Sequence, residues 1–191
     1  MSNRFRQEVP KSLLGKMLVA TPALHENTFQ KTVVLILQHN DKGTFGVVLN
    51  RPANDEMREA WENATGQNPY EQCVVQGGPI GGPVFAIHQH ESIGEVEMPG
   101  GLFVSADAQS LRQLTEQVDD RYRIVFGVAS WQVGQLQSEI DDGVWYTVNA
   151  EPDEIFDDAT WMWEKALRRY GEEVTCDVLG MDELPTNPSL N

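Results

Sequence analysis

The stretch RYRIVFGVASWQVGQLQSEIDDGVWYTV, residues 121–148, decides how the rest of the chain must be arranged. Ile124, Val125, Phe126, Val128 and Ala129 form a nearly unbroken apolar run. A strand buried on both faces reads this way, so a single central strand is expected here. Val133-Gly134-Gln135 breaks the run. Leu136 and Ile140 then recur four residues apart among polar neighbours, which predicts a short helix with one apolar face, closed by Gly143. Val144 to Val148 are β-branched or aromatic and predict the next strand. Ser130-Trp131 at a strand end, followed by Gly134 and Gln135 at a helix start, could offer backbone N–H groups to an anion. Trp131 is equally well explained as a core residue and Gly134 as a tight turn.

Working outward, Met17 to Ala20 predicts a first strand. Thr32 to Gln38 and Phe45 to Asn50 flank the turn Asn40-Asp41-Lys42-Gly43 and predict an antiparallel hairpin. Arg51-Pro52 stops it, because proline lacks the N–H that a ladder needs. Asn54 should cap a helix with Asp55 and Glu56 in its first turn, an apolar stripe of Met57, Ala60, Trp61 and Ala64, and Gly66 at its end. Cys73 to Gln76, Val84 to His88, Ile93 to Met98 and Leu102 to Ser105 follow as short strands. Asp107 should cap a helix bearing Leu111, Leu114 and Val118, ended by Asp119-Asp120. The segment EPDEIFDD (151–158) is read as an acidic turn. Thr160 to Tyr170 is read as a helix with Gly171 at its C′ position and an extended polar tail beyond.

At 191 residues the chain is expected to be one domain spanning 1–191, with an N-terminal arm over 1–14 and an extended acidic tail over 172–191. Cys73 and Cys176 match no zinc or redox spacing, which suits a reduced compartment. No signal-peptide core and no run of about 18 apolar residues occurs, so a cytoplasmic protein without membrane contact is expected. The net charge is −15, with 8 basic and 6 acidic side chains in residues 1–60 against 6 and 23 in 61–191. A field of that sign repels nucleic acid over most of the surface. Only Arg4, Arg6, Lys11 and Lys16 form a local basic patch.

Several residues could carry chemistry. His88 and His90 alternate at a strand end, but no third ligand stands at diagnostic spacing, so no metal and no cofactor is expected. GGPIGGP (77–83) has phosphate-loop letters without the Lys-Ser/Thr ending, and its prolines remove donors. Asn50-Arg51 at a strand end would make an anion clamp, or would satisfy loop carbonyls. Asn50, Arg51, Gly77, Gly78, His88, Trp131, Gly134 and Gln135 all fall at predicted strand ends or the turns after them, where sheets of this kind commonly place ligands. Together they form the candidate ligand-binding site. No nucleophile with a defensible base partner stands out, so no catalytic residue is assigned.

Four segments together resemble the AlgH/YqgE family of bacterial proteins: GKMLVATPALHENTFQKTVVLIL (15–37), GTFGVVLNRP (43–52), VVQGGPIGGPVFAIH (74–88) and GVASWQVGQLQSEIDDGVW (127–145). The resemblance implies an α+β fold of mixed, largely antiparallel sheets with about four helices, in the bacterial cytoplasm. It implies no reaction. The family's name reflects a proposed transcriptional regulator of alginate synthesis, which the acidic surface and the lack of a helix-turn-helix pattern do not favour as direct DNA binding. The expected function is therefore a non-enzymatic regulatory or binding protein, acting on a protein partner or a small anion. The alternative is an enzyme or small-anion sensor using the strand-end site.

Overall fold

The computed structural model of the chain describes residues 12–26, 28–67, 73–116 and 121–181. In chain order the strands are β1 (Lys16–Ala20), β2 (Val33–Asn40), β3 (Gly43–Val48), β4 (Val74–Gln76), β5 (Phe85–His88), β6 (Val96–Met98), β7 (Leu102–Ser105), β8 (Tyr122–Phe126), β9 (Ala129–Trp131) and β10 (Trp145–Asn149). The helices are α1 (Asp55–Thr65), α2 (Ala108–Glu116), α3 (Gln135–Asp141), α4 (Pro152–Ile155) and α5 (Ala159–Leu179). They form two five-stranded sheets, ordered β10-β1-β2-β3-β9 and β4-β8-β5-β7-β6, with the helices packed around them. The first is wholly antiparallel, and the second has one parallel pair, β4 with β8. This is the α+β class that the sequence predicts.

Strand alternation sorts the core into layers, because successive side chains leave opposite faces of a sheet. Met17 and Val19 of β1, with Val33 and Leu35 of β2, face a central core that also takes Val75, Ile87 and Val125 of the second sheet and Met162, Trp163 and Ala166 of α5. Leu18, Ala20, Val34 and Ile36 face the other way, against Leu136 and Ile140 of α3. The outer face of the second sheet, with Val74, Ala86 and Ile124, packs on Trp61 of α1 and on Leu111 and Leu114 of α2. Both expected caps form. The Asn54 Oδ1 accepts from Met57 N (2.9 Å), and the Asp107 carboxylate accepts from Gln109 N and Ser110 N (2.9 and 3.1 Å).

The single central strand is corrected. The apolar run belongs to two sheets: β8 ends at Phe126 inside the second, and β9 begins at Ala129 on the edge of the first. The switch occurs at Gly127, whose φ of 76° lies in the left-handed region that glycine tolerates best. A Cβ there would meet the carbonyl oxygens of Ile80 and Gly78 at 2.8 and 2.9 Å. Ile124 and Val125 are buried in one sheet and Ala129 in the other, with Phe126 and Val128 half-buried between them, so apolar content alone does not reveal the change of sheet.

Three other expectations are also corrected. The acidic segment 151–158 contains a helical turn, α4, with Pro152 in its first turn and Ile155 fully buried. The last helix does not end at Gly171, so residues 172–179 are helical rather than an extended tail. Arg168 and Arg169 reach Glu172 and Glu173 one turn on, at 3.9 and 3.8 Å, and such pairs offset part of the roughly 1 kcal/mol that a mid-helix glycine costs. In α1 only Trp61 of the expected stripe is buried, Met57 is half-buried, and Ala60 and Ala64 are exposed. Arg4, Arg6, Lys11, Val118, Asp119, Asp120 and the residues after 181 lie outside the described residues, while Leu13, within the expected arm, is buried against the α3 side of the first sheet. No helix among the described residues is long and apolar enough to cross a membrane.

Candidate functional site

The turn leading into β2 is braced by two of the predicted residues, Asn50 and Arg51. Thr32 closes it by donating from Oγ1 to Phe29 O (2.8 Å). Asn50, just past β3, fixes it from the neighbouring strand: its Oδ1 accepts from Val33 N (2.8 Å) and its Nδ2 donates to Lys31 O (2.9 Å). Arg51 Nη1 donates to Thr28 O at 2.5 Å. Asn50 and Arg51 therefore satisfy loop carbonyls, the second of the two roles weighed for them. Between their contacts sits Lys31, with φ 54°, the one non-glycine residue among those described in the left-handed region. A lysine held there is strained, and such strain clusters at functional sites.

Beside this turn lies a cleft of about 170 Å³, lined by Lys31, Asn50 and Pro52 on one side and by Ala159, Thr160, Trp163 and Glu164 of α5 on the other. Trp163 donates from Nε1 to Ala20 O (2.8 Å), which fixes its ring, and the Lys31 ammonium stands 5.4 Å from that ring's centre. Lys31 and Glu164 line the same cleft with opposite charges, yet no ion pair among the described residues joins them.

Of the eight predicted site residues, only Asn50 lines this cleft. Trp131 approaches the same turn from the other face of the first sheet, its ring 6.1 Å from Phe29. There a closed cluster forms. Trp131 and Trp145 donate their indole N–H groups to one oxygen of Glu139 (2.9 and 2.8 Å), and Gln135 Nε2 donates to the other (2.9 Å). Gly134 starts α3 with φ 79° and Gln135 Oε1 accepts from Gln132 N, so this turn serves the helix itself. Gly77 donates to Phe126 O and accepts from Val48 N, and a Cβ on Gly78 would fall 2.3 Å from Val128. At both glycines the missing Cβ lets the two sheets approach.

His88 is fully buried in the second sheet. Its Nε2 lies 3.0 Å from Ser105 Oγ, which looks like a base beside a nucleophile. The hydrogen-bond polarity says otherwise. His88 Nδ1 accepts from His90 N (3.1 Å), so Nε2 carries the proton and donates to the serine. Ser105 Oγ in turn donates to Ile93 O (2.7 Å) and accepts from Glu95 N (3.2 Å). A histidine that donates to the hydroxyl cannot take its proton. Burial, reinforced by His90 and opposed by Glu95, pushes His88 down to about 4, so it is neutral at pH 7. No group of three or more His, Cys, Asp or Glu able to hold a metal occurs among the described residues.

Sequence reasoning missed Lys31, Thr160 and Glu164, and assigned Trp163 to the core alone. Nothing in the letters QKT announces a left-handed lysine. The contact between residues 31 and 163 exists only once α5 lies across the sheet.

Residues 17–175 match the family described as AlgH-like. Relatives include a UPF0301 protein of Chlorobium chlorochromatii, 35% identical over 173 residues, 86% of this chain and 89% of the relative. A UPF0301 protein of Streptomyces avermitilis is 32% identical over 199 residues, 94% of this chain and 96% of the relative. Among solved structures, the AlgH protein of Pseudomonas aeruginosa superposes with a TM-score of 0.69 at 25% identity, covering 93% of this chain and 98% of that one. A crystal structure of a Corynebacterium diphtheriae protein gives 0.71 at 23% identity over 85% and 89%, a likeness of fold.

Proposed function

The chain belongs to the AlgH-like family, and from that premise we propose that it is a non-enzymatic binding or regulatory protein whose ligand contacts are made in the cleft between the 28–33 turn and the first turns of α5. The observation that carries this reading is Lys31. It is held in a strained backbone conformation by Asn50, with its ammonium over a fixed indole and, in the same cleft, the Glu164 carboxylate, which has no ion pair among the described residues. Strain maintained in an exposed lysine, where a glycine would relieve it, suits a position kept for its side chain. The reversed polarity of the Ser105–His88 contact supports binding over acyl transfer. A net charge of −15 favours a neutral or basic ligand over nucleic acid.

The test is native mass spectrometry of the chain taken from its own host, beside Lys31→Met and Glu164→Gln variants. The expected result is a retained species on the parent that both variants lose. A screen over phosphoesters, esters and peptides that found turnover, abolished by either variant, would overturn the non-enzymatic reading.

A further inference from the structure

The chemistry lining the cleft, taken as the binding site argued above, also specifies what fits it. Lys31 supplies three N–H donors and a positive charge. Asn50 Nδ2 carries two hydrogens, and its one hydrogen bond among the described residues goes to Lys31 O. Glu164 supplies a carboxylate from the other wall. The Trp163 ring, anchored through Ala20 O, gives a flat apolar surface beside them. A simple anion drawn to Lys31 would face Glu164 and the field of a chain carrying −15, and a simple cation drawn to Glu164 would face Lys31. A molecule bearing both charges meets neither repulsion and carries no net charge through that field. Size sets a second limit: a cavity of about 150 Å³ takes a benzene-sized molecule, and this cleft is about 170 Å³.

We propose that the cleft binds a small zwitterion of the α-amino-acid type, its carboxylate on the Lys31 ammonium and the Asn50 amide, its ammonium on the Glu164 carboxylate, and a short side chain against the Trp163 ring. Recognition of both charges makes the site selective for the free amino acid over either blocked form. The small volume makes it selective for alanine-sized side chains over aromatic ones.

The experiment follows the indole N–H resonance of Trp163 by nuclear magnetic resonance while L-alanine, N-acetyl-L-alanine, L-alanine methyl ester and L-tryptophan are added in turn. L-Alanine is expected to shift it saturably, with both blocked forms at least about tenfold weaker, the cost of about 1.4 kcal/mol for one lost charge contact. L-Tryptophan is expected to leave it unmoved. Lys31→Met should lose the L-alanine response. Glu164→Gln should weaken L-alanine while binding N-acetyl-L-alanine better than the parent chain does. Equal affinity for N-acetyl-L-alanine and L-alanine in the parent chain would overturn the proposal in favour of a plain anion site, and equal affinity for the methyl ester would overturn it in favour of a cation site. No shift with L-alanine would also overturn it. If a host-derived species still required Lys31 and Glu164, the cleft would remain the binding site for another chemistry.

Discussion

One turn, residues 28–33, meets both faces of the first sheet, and the two faces use the same residue types to opposite ends. On the α3 face the indoles of Trp131 and Trp145 donate to Glu139, so ring and carboxylate complete one another. On the α5 face the Trp163 indole donates to the backbone of Ala20 and leaves neighbouring Glu164 without a described ion-pair partner, while Lys31 stands over the ring. Tryptophan and glutamate thus make a closed structural cluster in one place and an open, charged cleft in the other. What separates the two is where the indole N–H groups go, to a glutamate on one face and to a backbone carbonyl on the other.

The sharpest contrast is in stability. Trp131→Ala should cost about 3–5 kcal/mol, a large share of a typical folding free energy, because a buried ring and its hydrogen bond are lost together. Denaturant melts would read it, and a loss below about 1 kcal/mol would break the assignment of that face to structure. His88 comes next. Its folded pKa of about 4 lies below the 6.5 of a free histidine, so as pH falls the unfolded chain takes up the proton first. The stability it contributes is complete above pH 6.5 and lost as pH falls towards 4, up to about 3 kcal/mol across that window. Melts at pH 7 and pH 4 should show this slope in the parent chain and a flatter one in His88→Gln.

Glu139→Ala should cost about 2–3 kcal/mol by leaving two part-buried indole donors unpaired, whereas Glu164→Ala should stay within about 0.5. Equal losses would erase the distinction between the faces. Arg51→Ala should cost about 1–2 kcal/mol, because its half-buried guanidinium holds the Thr28 carbonyl. Its effect on ligand affinity should come through the turn, since Arg51 does not line the cleft.

Much of this architecture is legible in the letters. The β2–β3 hairpin follows from its Asn-Asp-Lys-Gly turn, and the Asn54 and Asp107 caps from side chains that accept from nearby backbone N–H groups. Leu136 and Ile140 announce α3 by their spacing. The Gly127 crossover is hidden because burial in either sheet demands the same apolar residues. The length of α5 is hidden because Gly171 carries a local stop signal, while the helix runs through it with Arg–Glu pairs spanning the glycine that offset part of its cost. Of the site, Asn50 and Arg51 are visible as polar groups at a strand end, but their use as braces depends on a turn about twenty residues earlier in the chain. Lys31 is invisible, since a positive φ leaves no trace in a lysine's neighbours.

The most direct test of the account is Lys31→Gly, read twice on one preparation. Glycine accepts φ 54° without the roughly 1 kcal/mol penalty of an L-residue, and it removes the ammonium from the cleft. Denaturant melts should therefore show stability equal to the parent chain or higher by up to about 1 kcal/mol. Native mass spectrometry of the same sample should show the host-derived species gone. A variant less stable by more than about 1 kcal/mol that still carries the species would mean that Lys31 braces the fold and that ligand binding lies elsewhere.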